Sequence, residues 1–150
     1  MKRLIALLCA VLLLCGCSGI PNAVRRGLAK PEKYTTSTGI LLEIRSGDEI
    51  RLRVSFDDPE EVRKYLDGGS NSGDLPSWNS FQVVGANMQA LEDSGFFDEV
   101  PLGSTVTIHA SNFIYMDGEQ YYIAAISCDG KEYLSFDVGF QNIQDYLEQN

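Results

Sequence analysis

The chain has 150 residues, a formal net charge of −9, 44% apolar and 22% charged residues. That length accommodates one domain with a core of its own and excludes two ordinary domains, hence also a two-lobed solute-binding protein. The acidity argues against a phosphate polymer as ligand, so no nucleic acid partner is expected.

Lys2 and Arg3 precede an unbroken apolar run from Leu4 to Leu14, and Cys15-Gly16-Cys17 follow. A charged start and a short apolar run are the proportions of a secretory signal peptide. Spanning a bilayer takes about 20 apolar residues, more than this run provides. Leu14-Cys15-Gly16-Cys17 resembles the lipobox of bacterial lipoproteins: an aliphatic residue, a variable one, a small one, then Cys. The resemblance covers residues 1 to about 18. It implies a signal peptide over 1–16, cleavage between Gly16 and Cys17, and a diacylglyceryl group on Cys17. The mature chain would then be held to the cell membrane or outer membrane on its extracytoplasmic face.

Residues 17–37 hold two prolines, two glycines and no apolar periodicity, and read as a lipidated tether. Residues 18–37 carry Arg25, Arg26, Lys30 and Lys33 against Glu32, a balance of +3. Residues 38–150 carry six Lys/Arg against 20 Asp/Glu, a balance of −14. Each cation near an anionic membrane surface contributes about 1 kcal/mol of attraction. The tether is therefore expected to lie near the membrane while the acidic domain stands away.

Residues 38–150 read as a single β-rich domain. Ile40, Leu42 and Ile44 alternate on one face, Ser46-Gly47-Asp48 turns, and Ile50, Leu52, Val54 and Phe56 alternate again, which is a hairpin pattern. Glu43 is placed to pair with Arg51 or Arg53 across it. Asp58-Pro59-Glu60-Glu61 starts a helix with a capping acid and Pro at its first position, and Gly68-Gly69 ends it. A Gly/Ser/Asn-rich loop leads to Trp78 and a strand over 81–86. Asn87 is expected to cap a short helical stretch that Gly95 stops. Val106 and Ile108 point inward from the next strand. Asp117-Gly118 and Asp129-Gly130 demand type I′ hairpin turns, and 121–126 is apolar on both faces, as in a central strand. A helix over about 140–147 closes the chain. Three strands, a helix and two strands is the order of the OB-fold. The expected class is mainly β (α+β): a small antiparallel OB-like barrel, or a curved open sheet, with two or three short helices.

Candidate chemistry is sparse. Adjacent acids (Asp57/Asp58, Glu60/Glu61, Glu92/Asp93, Asp98/Glu99) point in different directions, whereas glycosidase carboxyls face one cleft about 5–10 Å apart. The Asp-Gly turns lack the oxygen density of a calcium loop, so no metal and no cofactor are expected. The resemblance implies that Cys9 and Cys15 leave with the signal and that Cys17 is acylated, which leaves Cys128; with His109 it forms the one conceivable thiol–imidazole pair. Trp78, Tyr115, Tyr121, Tyr122 and Tyr133 could stack against a sugar ring or a peptide, with Trp78 and Tyr122 as candidate ligand-binding residues. These features point to a non-enzymatic binding or assembly module, anchored by lipid, with a protein or glycan partner. The alternatives are an envelope hydrolase acting on glycan or peptide, or an accessory subunit of a transport or envelope complex.

Overall fold

The computed structural model describes residues 22–45, 50–68, 75–115 and 118–150. The signal region, Gly16 and Cys17 lie outside the described residues. In chain order the elements are α1 (Asn22–Leu28), a 3₁₀ turn (Pro31–Lys33), β1 (Tyr34–Arg45), β2 (Ile50–Ser55), α2 (Pro59–Leu66) and β3 (Asn79–Val83). They continue with α3 (Gly85–Asp93), α4 (Phe96–Glu99), β4 (Thr105–Tyr115), β5 (Gly118–Cys128), β6 (Lys131–Leu134) and α5 (Phe136–Gln149).

The long first strand serves two neighbours. Its residues Tyr34 to Ile40 pair with β4, and from Ile40 onward it pairs with β2, both antiparallel. The hand-over passes through Gly39, where a Cβ would lie 2.5 Å from the Ser55 carbonyl oxygen. No larger residue fits between the two strands at that bend. β2 pairs with β3, and β3 meets β5 in parallel at Phe81↔Tyr121 and Gln82↔Tyr122. With β4 paired to β5, the ring β1-β2-β3-β5-β4 closes, and α3 and α4 lie between the third and fourth strands. This is the OB-fold. β6 extends it as a further strand beside β5.

Of the two expected forms, the OB-like barrel is the one observed, and the curved open sheet is not. The sheet is mixed and not purely antiparallel, because the closing pair runs parallel. Five helices are described where two or three short ones were expected. Within β1, a register shift between Leu41 and Glu43 breaks the simple alternation. Leu41 enters the barrel core, whereas Ile40 and Leu42 pack under α2 with Val62. A bulge of this kind re-aims side chains where a strand is covered on both faces. The Asp129–Gly130 turn has positive φ at both residues (49° and 79°), as its composition required.

The barrel interior is filled by Leu52, Val54, Phe81, Val106, Ile108, Ile123 and Ile126, and Leu91 and Phe96 from the intervening helices close one end. A second core covers the outer face of β5. There Tyr122 and Ala124 meet Ile143 and Leu147 of α5, and Val24 and Leu28 of α1. The stretch read as tether is thus folded from Asn22 on, and β1 begins at Tyr34, ahead of the expected domain boundary at 38. Each Leu or Val so buried contributes about 1.5–3 kcal/mol, which is why a segment with little periodicity still folds.

Asn87 is not the expected cap. It lies inside α3, fully buried, and its Nδ2 donates to the carbonyls of Ile123 (3.0 Å) and Gly139 (3.1 Å). Its Oδ1 accepts from Asn142 Nδ2 at 2.8 Å. α5 approaches β5 so closely that a Cβ on Gly139 would fall 1.9 Å from the Ala124 carbonyl oxygen. Asn87→Ala removes the second donor to two buried carbonyls and the acceptor of Asn142 Nδ2, and is expected to cost about 1–3 kcal/mol. Gly139→Ala forces α5 off the sheet at about 3 kcal/mol or more. Both should appear as a lower urea midpoint at unchanged slope, and a wild-type midpoint for Gly139→Ala would refute the contact.

Candidate binding face

The outward side of β1, β2 and β3 is polar with one aromatic platform. Register pairs Arg51 with Gln82 and Arg53 with Ser80, so all four stand on the face opposite to Leu52, Val54 and Phe81. Glu43 pairs with Arg53 from β1, and Arg53 Nη1 donates to Glu43 Oε2 at 2.8 Å. This is the cross-strand ion pair expected from the hairpin. The Arg53 guanidinium also sits 5.0 Å above the ring centroid of Trp78, whose residue is 39% exposed. Such a cation–π contact at a partly exposed site contributes about 0.5–1 kcal/mol.

The chain before β3 is held in place by Asp57. Its carboxylate accepts from the Ser77 amide (2.6 Å) and the Ser77 hydroxyl (2.7 Å). These two bonds, the hydroxyl first, hold the Asp57 pKa below its ordinary value. Trp78 follows directly, so the clamp and the Arg53 stack together fix the indole. Phe56, at the exit of β2, and Leu75, on the approach to β3, are exposed apolar side chains near the same two strands. An aromatic platform flanked by guanidinium, amide and hydroxyl groups can stack a ring and hydrogen-bond an oxygen-rich ligand.

Of the two ligand-binding candidates, Trp78 lies on this face and Tyr122 does not. Tyr122 is 7% exposed in the core beneath α5, which corrects its assignment: the phenol ring is packing for the helix and cannot meet a ligand there. Tyr121 packs against Phe81 at 5.2 Å, and Tyr133 is buried edge-on to Phe96. Tyr121, Tyr122 and Tyr133 are therefore taken up by packing elsewhere, and the Tyr115 side chain lies outside the described residues. Arg51, Arg53 and Gln82 had no role in the ligand reading. The alternation of β2 puts Arg51 and Arg53 on one face, and the strand holding Gln82 is also expected; that the two strands pair is decided by the tertiary structure.

Cys128 and His109 are kept apart by the same alternation. Cys128 belongs to the barrel core with Val106, its register partner, while His109 stacks on Phe136 of α5 at 4.5 Å, outside the barrel. Burial, followed by the Asp129 charge, pushes the Cys128 thiol up, away from the thiolate a nucleophile needs. The acids are spent locally. Asp58 caps α2 through Glu60 N (2.9 Å) and Glu61 N (3.2 Å), Asp93 accepts from Gln89 (2.9 Å), and Glu99 accepts from Lys131 and from the Tyr133 hydroxyl. Among the described residues no three His, Cys, Asp or Glu side chains gather as a metal would need. A hollow of about 310 Å³ lies between α2 and the approach to β4, where Arg63 donates to Gly103 O (3.3 Å) and Thr105 Oγ1 (3.0 Å).

No family model matches the chain, and no curated protein does. A solved structure, the mitochondrial single-stranded DNA binding protein Rim1 from S. cerevisiae, is similar at 14% identity and a TM-score of 0.38. The similarity covers 66% of this chain and 97% of that one. The exclusion of nucleic acid drawn from net charge does not stand beside this finding. Net charge sums the whole surface, whereas a binding face is local, and here it carries Arg51 and Arg53 next to Trp78. At that TM-score the similarity assigns no ligand to this chain.

The single tryptophan makes the Asp57 clamp measurable. Because the folded pKa is lowered, the clamp's contribution is complete above the ordinary value of 3.8 and is lost as pH falls through the lowered value. Trp78 emission should therefore titrate with a midpoint below 3.8, while far-UV circular dichroism reports the barrel intact. Asp57→Asn should remove that titration, and its persistence would assign it to another group.

Proposed function

We propose that this chain is a lipid-anchored, extracytoplasmic, non-enzymatic binding module that engages its ligand on the outer face of β1, β2 and β3. The observation that carries the reading is the Trp78–Arg53 stack, a part-exposed indole fixed from one side by a guanidinium and at its base by the Asp57–Ser77 bonds. Fixing the ring in advance lowers the ordering cost of binding. The lipobox supports the location. Two acyl chains, at roughly 0.8 kcal/mol per buried methylene, anchor stably where one is marginal.

The face suits a glycan strand: a sugar ring on the indole, its hydroxyls toward Ser80 and Gln82. The local engagement of Asp57, Asp58, Asp93 and Glu99 favours binding over hydrolysis. A protein partner, and with it an accessory role in an envelope complex, is the second reading. Two exposed apolar side chains favour it, Leu75 (61%) and Phe56 (42%), the latter edge-on to the inward Phe81, since such side chains anchor protein contacts.

The test titrates the mature lipidated chain with defined oligosaccharides, peptides and single-stranded oligonucleotides. Saturable binding to one class is expected, weakened about tenfold, or ~1.4 kcal/mol, by Trp78→Ala. Cys17→Ala should move the protein from the membrane to the soluble fraction. Unchanged affinity in Trp78→Ala removes the face from the reading, and hydrolysed oligosaccharide overturns the non-enzymatic assignment.

A further inference from the structure

We infer that α1 and the 3₁₀ turn after it form a docking face for anionic lipid headgroups, so that the barrel lies on the membrane in one orientation. The inference rests on the proposed acylation of Cys17. It starts from the finding that residues 22–33 belong to the domain. Val24 and Leu28 turn into the outer core, so the apolar side of α1 is spent on the barrel. Arg26, Lys30 and Lys33 are exposed. Arg25 takes no part, because its guanidinium donates to the Leu147 carbonyl. The cations are thus mounted on a rigid edge of the domain and not on a loose coil.

Chain length supplies the second argument. Cys17 and Asn22 are five Cα steps apart, which span at most about 18 Å. A lipid on Cys17 would keep the start of α1 within roughly two screening lengths of the headgroups, and the short helix and turn that follow let its cations face the same surface. Charge complementarity selects the occupant: three exposed cations on an otherwise acidic domain fit anionic lipid. The acids that oppose this are Glu32 on the turn, and Asp145 and Glu148 on the neighbouring α5, all exposed. They keep the attraction too weak to hold the barrel alone, so it orients a protein that the acyl chains already hold.

The test uses the full lipidated chain in vesicles of phosphatidylcholine, with or without about a third of phosphatidylglycerol. An environment-sensitive dye is placed through Ala29→Cys beside the cations, or through Gln89→Cys on α3, each in a Cys128→Ala background. Both positions are exposed. With anionic vesicles, emission at position 29 should shift to the blue and be quenched about twofold or more by spin-labelled lipid. The effect should vanish in 0.5 M salt, where screening shortens to about 4 Å, and in Arg26→Glu/Lys30→Glu/Lys33→Glu; position 89 should stay unquenched. Equal quenching at 29 in both vesicle types, or quenching that survives the charge reversal, overturns the docking face while leaving the anchor in place. Mass spectrometry that finds no lipid on Cys17 overturns the anchor and the docking face together.

Discussion

The contact on which the rest of this structure depends is the seat of α5 on β5. A helix packed on a sheet ordinarily keeps a layer of side chains between the two backbones. Here Gly139 lets the helix backbone come down onto the Ala124 carbonyl, and the missing Cβ makes that approach possible. At this seat Asn87 adds a side-chain donor to one carbonyl of β5 and one of α5 while accepting from Asn142. One buried amide thus joins α3, β5 and α5. A buried polar group is stabilising only when its bonds are made, so the three elements take up their positions together.

That seat also decides the fate of the N-terminal segment. Once α5 covers β5, Ile143 and Leu147 offer an apolar surface that β5 alone would not, and Val24 and Leu28 complete it. Tyr34 then packs edge-on to Phe136 and Phe140, its hydroxyl donating to the Leu28 carbonyl at 3.0 Å. Burial pushes the Tyr34 phenol pKa well up, as expected of a hydroxyl enclosed by rings. Residues 22–34 are in this way part of the domain and not a loose leader to it.

The candidate face was half legible. Trp78 stood out because it follows a loop, where function concentrates, and the structure leaves it part-exposed. Tyr122 carried the same chemistry and was misplaced, because its run, apolar on both faces, left open which side a helix would cover. The hairpin pattern offers Arg51 or Arg53 as the partner of Glu43, and Arg53 takes that place. Its second contact, with Trp78, depends on β2 and β3 being neighbours across 25 residues of chain. No local pattern reports such a pairing.

Local rules by themselves determined the hairpin of β1 and β2, the capped start of α2, the inward set of Val106 and Ile108, the Asp129–Gly130 turn and the strand order of an OB barrel. Each depends on residues a few positions apart, where propensity and alternation act directly. Tertiary structure alone decided the parallel closure of β3 on β5, the bulge that sends Leu41 inward, the burial of Asn87 and Tyr122, and the folding of residues 22–37. In each of these the deciding surface belongs to an element distant in sequence, and a residue's role is set by what covers it, a quantity that exists only once the chain has closed.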